Sequence, residues 1–120
     1  MGDTLRVKVE EVGATPTQGA IVIIQLESVT DYDLTALEGD LRAAASTHGW
    51  KLAVDMSRVM LLGSAGLGLL LNIRKEATNQ KGKFALFGLS PELMGVMKAT
   101  KLNTLLTIVK DRKAAIAAIS

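Results

Sequence analysis

One segment, Val54 to Leu71, constrains the fold of this chain more than any other part of the sequence. It begins with a strand-like apolar run that ends at Asp55, passes through a turn in which glycines flank Ser64, and continues as an apolar helix-like run. A strand, a turn and a helix in this order form the unit from which parallel sheets are built. The segment therefore predicts an α/β fold, with Ser64 exposed where the helix begins.

Strand-like runs alternate with helical patterns along the rest of the chain. The predicted strands are Leu5–Val9, Ala20–Leu26, Lys51–Met56, Phe84–Phe87 and, as a short edge strand, Thr107–Val109. The first two are expected to form an antiparallel pair across the long loop from Gly13 to Gly19, which contains Pro16. The pattern predicts one domain, residues 1–120, with a mixed, mainly parallel sheet of about four to five strands and helices packed against it.

Capping residues and apolar spacing predict four helices. They run from Asp31 or Asp33 to about His48, from Ser64 to the turn at Asn79–Gly82, from Ser90-Pro91 to about Ala99, and from Lys113 to Ile119 after a cap at Asp111. Ser90-Pro91-Glu92 is the strongest of these starts, because it combines a cap residue, a proline at the first helical position and an acid in the first turn.

The residue types that most enzymes and metal sites depend on are scarce. The chain has no cysteine and one histidine, which excludes a thiol nucleophile, a cysteine-ligated metal and a pair of histidine ligands. Asp31 and Asp33 are interpreted as helix-capping acids, since two carboxylates alone hold a divalent ion weakly. We therefore expect no metal, no cofactor and no enzymatic activity.

Charge and hydropathy bear on partners and location. The net charge is +2, but the basic residues of the second half occur in ones and twos, and the chain has four aromatic residues. Nucleic-acid binding is therefore not expected. The uncharged, mostly apolar stretch from Val59 to Ile73 is broken by three glycines and a serine, which predicts no direct membrane insertion. With neither a signal-like start nor cysteine, a cytoplasmic location is expected.

Ser64 is the leading functional candidate. At a helix N-terminus the free N–H groups and the helix dipole favour an added negative charge, so this position suits a phosphoryl switch. A structural alternative is that the Ser64 hydroxyl caps the helix while the neighbouring glycines allow a tight turn. A third interpretation, a phosphate-binding turn, is weakened because the segment lacks the lysine of a P-loop.

Several segments together resemble a STAS domain, and in particular the anti-sigma factor antagonists. These are Val54-Asp55-Met56-Ser57, Gly63-Ser64-Ala65-Gly66-Leu67-Gly68, Ser90-Pro91, Thr100-Lys101-Leu102, and Leu26 to Asp31. The family motif reads Asp-Ser-Ser-Gly-Leu-Gly followed by aliphatic residues. The resemblance covers nearly the whole chain.

The resemblance implies a switch in protein binding. The unmodified protein would bind an anti-sigma factor that is also a serine kinase and thereby free a sigma factor, and phosphorylation of Ser64 would end the binding. A serine phosphatase would be a further partner. The partner-binding residues that the resemblance implies are Asp31, Asp55, Ser57, Gly63, Ser64, Ala65, Gly66 and Leu67.

The chain departs from the family pattern at two positions of the motif. Gly63 stands where the family has aspartate, and Ala65 replaces the second serine. A second hypothesis is therefore a constitutive interaction module without the switch, such as a signalling scaffold or the cytoplasmic subunit of a lipid transporter. A third hypothesis, a small enzyme, would require Asp55 or His48 as a general base near Ser64.

Overall fold

The computed structural model describes residues 3–15 and 18–120, so Pro16 of the predicted loop lies outside the described residues. Seven strands and four α-helices occur in those ranges. In chain order they are β1 (Val7–Glu11), β2 (Ala20–Ile24), β3 (Ser28–Val29), α1 (Asp31–Thr47), β4 (Lys51–Asp55), β5 (Leu61–Leu62), α2 (Ser64–Asn79), β6 (Lys83–Phe87), α3 (Pro91–Ala99), β7 (Thr107–Val109) and α4 (Arg112–Ile119). A short 3-10 helix, Leu102–Thr104, lies between α3 and β7.

Five of the strands form one sheet in the order β1-β2-β4-β6-β7. β1 and β2 are antiparallel, with Val9 opposite Val22. The other neighbours are parallel, with Val22 opposite Val54 and Val54 opposite Leu86. The predicted α/β class, the mainly parallel sheet, the antiparallel N-terminal pair and the edge position of β7 are all confirmed.

Helices cover both faces of this sheet, as expected for strands that are apolar on both sides. The larger hydrophobic cluster joins one face of the strands to α1, α2 and α3, through residues such as Leu41, Ile73 and Met97. The smaller cluster joins the other face to α4, through Ala115 and Ile119. Neighbouring residues of a strand belong to different clusters because successive side chains point to opposite faces.

Two predicted helix caps are confirmed by hydrogen bonds. The Leu93 N–H donates to Ser90 Oγ at 3.2 Å, and the Ala114 N–H donates to Asp111 Oδ1 at 2.9 Å. Each side chain therefore accepts a hydrogen bond from one of the N–H groups that a first helical turn leaves without a partner.

The start of the first strand differs from the prediction. Leu5 is 92% exposed, and β1 begins two residues later, at Val7. The Thr4 hydroxyl oxygen accepts hydrogen bonds from the N–H groups of Arg6 and Val7, so a local turn replaces strand pairing at this point. The Arg6 guanidinium donates to Asp40 on α1 at 2.7 Å, and this hydrogen bond raises the pKa of Arg6.

The turn between α2 and β6 is packed closely against the chain segment that precedes β4. Lys81 has a φ of 60°, and a Cβ atom placed on Gly82 would lie 1.9 Å from the backbone oxygen of Trp50. That same oxygen accepts a hydrogen bond from the Lys83 N–H at 2.8 Å. Glycine is therefore required at residue 82 to bring β6 alongside β4.

Among the residues that the structure describes, none of the helices combines the length and the apolar character needed to cross a bilayer.

Candidate functional site

Ser64 is the first residue of α2, and Gly63 is the N-cap residue. Both are exposed, and no side chain caps the helix. The predicted alternative that the Ser64 hydroxyl caps the helix is therefore wrong, whereas its other part, a glycine that allows close packing, holds at Gly66. Within the described residues this hydroxyl has no hydrogen-bond partner, which leaves it available to another molecule.

A small two-stranded sheet holds the turn before Ser64 in place. β5 pairs in parallel with β3, so that Ser28 lies opposite Leu61 and Val29 opposite Leu62. The backbone oxygen of Glu27 accepts hydrogen bonds from the N–H groups of Met60 and Leu61, at 2.7 and 3.0 Å. The sequence did not predict this sheet, because two residues are too few to show a period.

Asp31 lies at the N-terminus of α1, on the segment that follows β3. The N-cap residue of α1 is Thr30 rather than Asp31 or Asp33, and it makes no side-chain cap hydrogen bond. Asp31 is exposed as the first helical residue, whereas Asp33 accepts a hydrogen bond from the Thr30 hydroxyl at 3.1 Å. The small sheet thus holds the starts of α1 and α2 at one end of the molecule.

Asp55 and Ser57 lie where β4 leaves the main sheet. Asp55 Oδ1 accepts a hydrogen bond from the Ser57 N–H at 2.9 Å, and Gly88, which has a φ of 76°, leaves room for this turn. Ser57 is exposed and Asp55 is half-buried. Among the described residues no hydrogen bond joins Asp55 to Ser64, so the carboxylate orients its own turn rather than the serine.

Three large apolar side chains are exposed on the segments that the small sheet joins. Tyr32 is 96% exposed, Leu61 66% and Met60 51%. Tyr32 follows Asp31, while Met60 and Leu61 precede Ser64 by a few residues. Sequence reasoning missed them as site residues, because Met60 and Leu61 belong to an apolar run that looks like core. Exposed apolar side chains grouped in this way are typical of a protein-binding surface.

The glycines of the motif have different surroundings. A Cβ atom on Gly63 would meet no atom within 4 Å, whereas one on Gly66 would lie 2.4 Å from Leu62 Cδ1. Gly66 and Leu67 are buried, whereas Ala65 is exposed. The motif therefore has an accessible outer part, Gly63 to Ala65, and an inner part that packs α2 against the small sheet.

His48 lies apart from this region, at the C-terminal end of α1. It is 3% exposed. Its Nδ1 lies 2.7 Å from the backbone oxygen of Ala44, and its Nε2 lies 3.5 Å from a carboxylate oxygen of Glu11 on β1. In the described parts of the chain, no group of three or more His, Asp or Glu side chains converges to hold a metal ion.

Solved structures of bacterial regulators share this fold. An anti-sigma factor antagonist from Mycobacterium paratuberculosis is 21% identical, with a TM-score of 0.79 over 94% of this chain and 92% of that chain. An anti-sigma-factor antagonist (STAS) domain protein from Planctomyces limnophilus is 18% identical, with a TM-score of 0.78 over 95% and 97%. The Bacillus cell fate determinant SpoIIAA in its phosphorylated form is 16% identical, with a TM-score of 0.68 over 92% and 96%.

At these identities the likeness establishes the fold, an α/β fold shared with anti-sigma factor antagonists. A protein-family model described as "Mlab, STAS domain" matches residues 14–109. Since the match spans most of the chain, the chain belongs to the STAS domain family. The resemblance to a STAS domain that the sequence showed is thereby confirmed.

Proposed function

We propose that this STAS domain is an anti-sigma factor antagonist that binds a serine kinase acting as an anti-sigma factor, and that phosphorylation of Ser64 ends the binding. The observation that carries the proposal is the exposed Ser64 hydroxyl, which has no hydrogen-bond partner among the described residues and lies on the first residue of α2. Its nearest sequence neighbours on the outer part of the motif are small, so a kinase active site could reach the hydroxyl.

The proposed contact surface, called here the Ser64 surface, combines residues from both sides of the small sheet. Its exposed members are Asp31, Tyr32, Ser57, Met60, Leu61, Gly63, Ser64 and Ala65. Asp55 orients the turn that carries Ser57, and Gly66 and Leu67 support the surface from beneath. We also infer that residues 1–120 act as one domain, because both hydrophobic clusters share the strands of the main sheet.

The switch follows from the charge that a phosphoryl group adds. Phosphoserine carries about −1.5 to −2 charges at neutral pH. On a surface that contains exposed Met60 and Leu61, a docked partner would have to desolvate that charge, which opposes binding. The free N–H groups at the start of α2 favour the phosphate within the free protein. Both effects shift the modified protein towards the unbound state.

A binding role fits the surroundings of Ser64 better than an enzymatic one. The two groups considered as general bases are engaged elsewhere, since Asp55 accepts from the Ser57 N–H and His48 is buried against Ala44 and Glu11. The proposal requires no cofactor, metal or nucleic acid. It does require a cytoplasmic location, where the kinase has ATP, and a serine phosphatase to restore the binding form.

The first experiment is peptide mass mapping after incubation with ATP and each candidate kinase from the same host. Phosphate is expected on the peptide that contains Ser64 and absent in Ser64→Ala. Affinity for the kinase is then measured by titration calorimetry, where Ser64→Ala is expected to bind and Ser64→Asp to lose binding. Equal binding by both variants would refute the switch.

A constitutive interaction module is the second candidate, and two observations favour it. Gly63 supplies no carboxylate next to Ser64, and the family model that matches is named for Mlab rather than for an anti-sigma factor antagonist. This candidate predicts a partner that binds the unmodified protein, Ser64→Ala and Ser64→Asp alike, with no phosphate on Ser64 after incubation with any host kinase.

A further inference from the structure

A second site candidate is a surface pocket of about 310 Å³ at the opposite end of α2 from Ser64. Its walls come from the last turns of α2, the first residues of β6 and β7, and α4. The lining residues are Arg74, Thr78, Lys83, Phe84, Leu105, Thr107 and Ala118. Arg74 follows Ser64 by ten residues, which is about 15 Å along a helix. The pocket is therefore separate from the Ser64 surface.

Arg74 is unusual among the arginines of this chain. Arg6, Arg42 and Arg112 each pair with a carboxylate, and Arg58 is exposed to water. Arg74 is half-buried, yet within the described residues no carboxylate lies within ion-pair distance of it. Its guanidinium therefore has donors available to an anionic ligand, which it can bind through two parallel hydrogen bonds.

Lys83 and Thr107, two further polar residues of the pocket, carry hydrogen-bond donors that suit the same kind of ligand. Lys83 Nζ donates to the backbone oxygen of Ser120 at 2.6 Å, and an ammonium group has two further protons to donate. Thr107 is exposed at the start of β7, whereas the one hydroxyl proton of Thr78 is already donated to the backbone oxygen of Arg74 at 3.0 Å. Among the described residues that line the pocket, none is acidic.

We propose that this pocket binds a small soluble phosphomonoester. A guanidinium, an ammonium and a hydroxyl provide donors in several directions, and a phosphate dianion has three oxygens to accept them. A pocket of about 310 Å³ leaves room for an organic group beside the phosphate. The exposed lining of the pocket is mainly polar, since Phe84 is buried and Leu105 is its half-exposed apolar residue, so the organic part of the ligand is expected to be small and polar.

The test is an NMR titration of the whole protein with inorganic phosphate and with glycerol 3-phosphate, at constant ionic strength. Saturable amide shifts are expected around Arg74, Lys83 and Thr107, with tighter binding of glycerol 3-phosphate. Arg74→Gln should weaken binding by about tenfold or more, since hydrogen bonds between charged groups are strong. Lys75→Gln is the matched control, because it removes one charge from the neighbouring exposed residue and should leave binding unchanged.

Three outcomes would overturn the proposal. The first is a linear, unsaturated shift for both ligands, which would indicate general screening of positive charge. The second is an equal loss of affinity in Arg74→Gln and Lys75→Gln. The third is binding to vesicles that contain phosphatidic acid without binding to glycerol 3-phosphate, which would assign the phosphate to a lipid surface. The Ser64 switch is unaffected by any of them, since its kinase assay does not involve this pocket.

Discussion

The turns at the two ends of helix α2 are built in opposite ways. The turn before α2 is open, since a side chain added at Gly63 would meet no atom within 4 Å. The turn after α2 is closed, because Gly82 lies against the backbone of Trp50 and a side chain there would overlap it. One helix thus begins at a surface free to contact other molecules and ends at a junction that holds the sheet together.

This difference separates two reasons for glycine in the same structural unit. At residue 82 the reason is steric, because β6 can approach β4 only if no side chain intervenes. At residue 63 there is room for a side chain, so glycine is not required for packing. A side chain there would change the surface that the turn presents to another molecule. Substitutions at the two ends should therefore affect different properties, stability at one end and binding at the other.

The largest effect is expected for Gly82→Ala. The new methyl group would overlap the backbone oxygen of Trp50, which also accepts from the Lys83 N–H. We expect the free energy of unfolding to fall by about 3 kcal/mol, as in overpacked cores, measured by urea denaturation. Gly68→Ala is the control, since nothing lies within 4 Å of that position and alanine within a helix should raise stability by about 0.5–1 kcal/mol. Equal stability of Gly82→Ala and Gly68→Ala would show that glycine at residue 82 is not required for packing.

An intermediate effect is expected for Leu61→Ser, on binding rather than stability. Leu61 is 66% exposed, so its loss should change the free energy of unfolding by less than about 0.5 kcal/mol. Affinity for the kinase should fall by about tenfold, as for an apolar contact residue, measured by titration calorimetry. Leu105→Ser is the matched control, because Leu105 is 49% exposed and lies by the pocket at the far end of α2. An equal loss of affinity in both variants would show that the Ser64 surface is wrongly placed.

The smallest effect is expected for Gly63→Asp, which introduces the carboxylate found in the family motif. Gly63 has an extended backbone, with φ −76° and ψ 174°, which aspartate can adopt. At an N-cap, aspartate stabilises a helix by a few tenths of a kcal/mol more than glycine does. Urea denaturation should therefore show a slight gain in stability. A fall of more than about 1 kcal/mol in the free energy of unfolding would show that the turn at Gly63 has no room for a side chain. The rate of Ser64 phosphorylation in the same variant would measure what the missing carboxylate does.

Sequence reasoning succeeded where a signal is local or repeated over a whole element. Ser90 and Asp111 were predicted as caps because each is followed by helix-forming residues whose first N–H groups require partners. The main sheet was predicted from apolar runs of four or more residues alternating with helical spacing. These features depend on neighbours in sequence, so the sequence displays them directly.

Features that depend on distant residues were not predicted. The pairing of β3 with β5 joins residues more than 30 positions apart, and neither strand is long enough to show alternation. The exposure of Met60 and Leu61 follows from that pairing, so it was missed too. Ser64 was expected to have a free or a capping hydroxyl, and the choice between them depended on whether Gly63 or Ser64 occupies the N-cap position.

The small sheet also determines what kind of reagent could imitate this protein. Its two strands supply residues from separate stretches of the chain, with Tyr32 following one strand and Ser64 the other. Two paired strands of two residues are too short to persist outside a larger structure. A synthetic peptide copied from residues 57–68 would therefore present half of a discontinuous epitope, without the Glu27 oxygen that fixes Met60 and Leu61. A competitor of the natural interaction would have to reproduce both segments on a rigid scaffold.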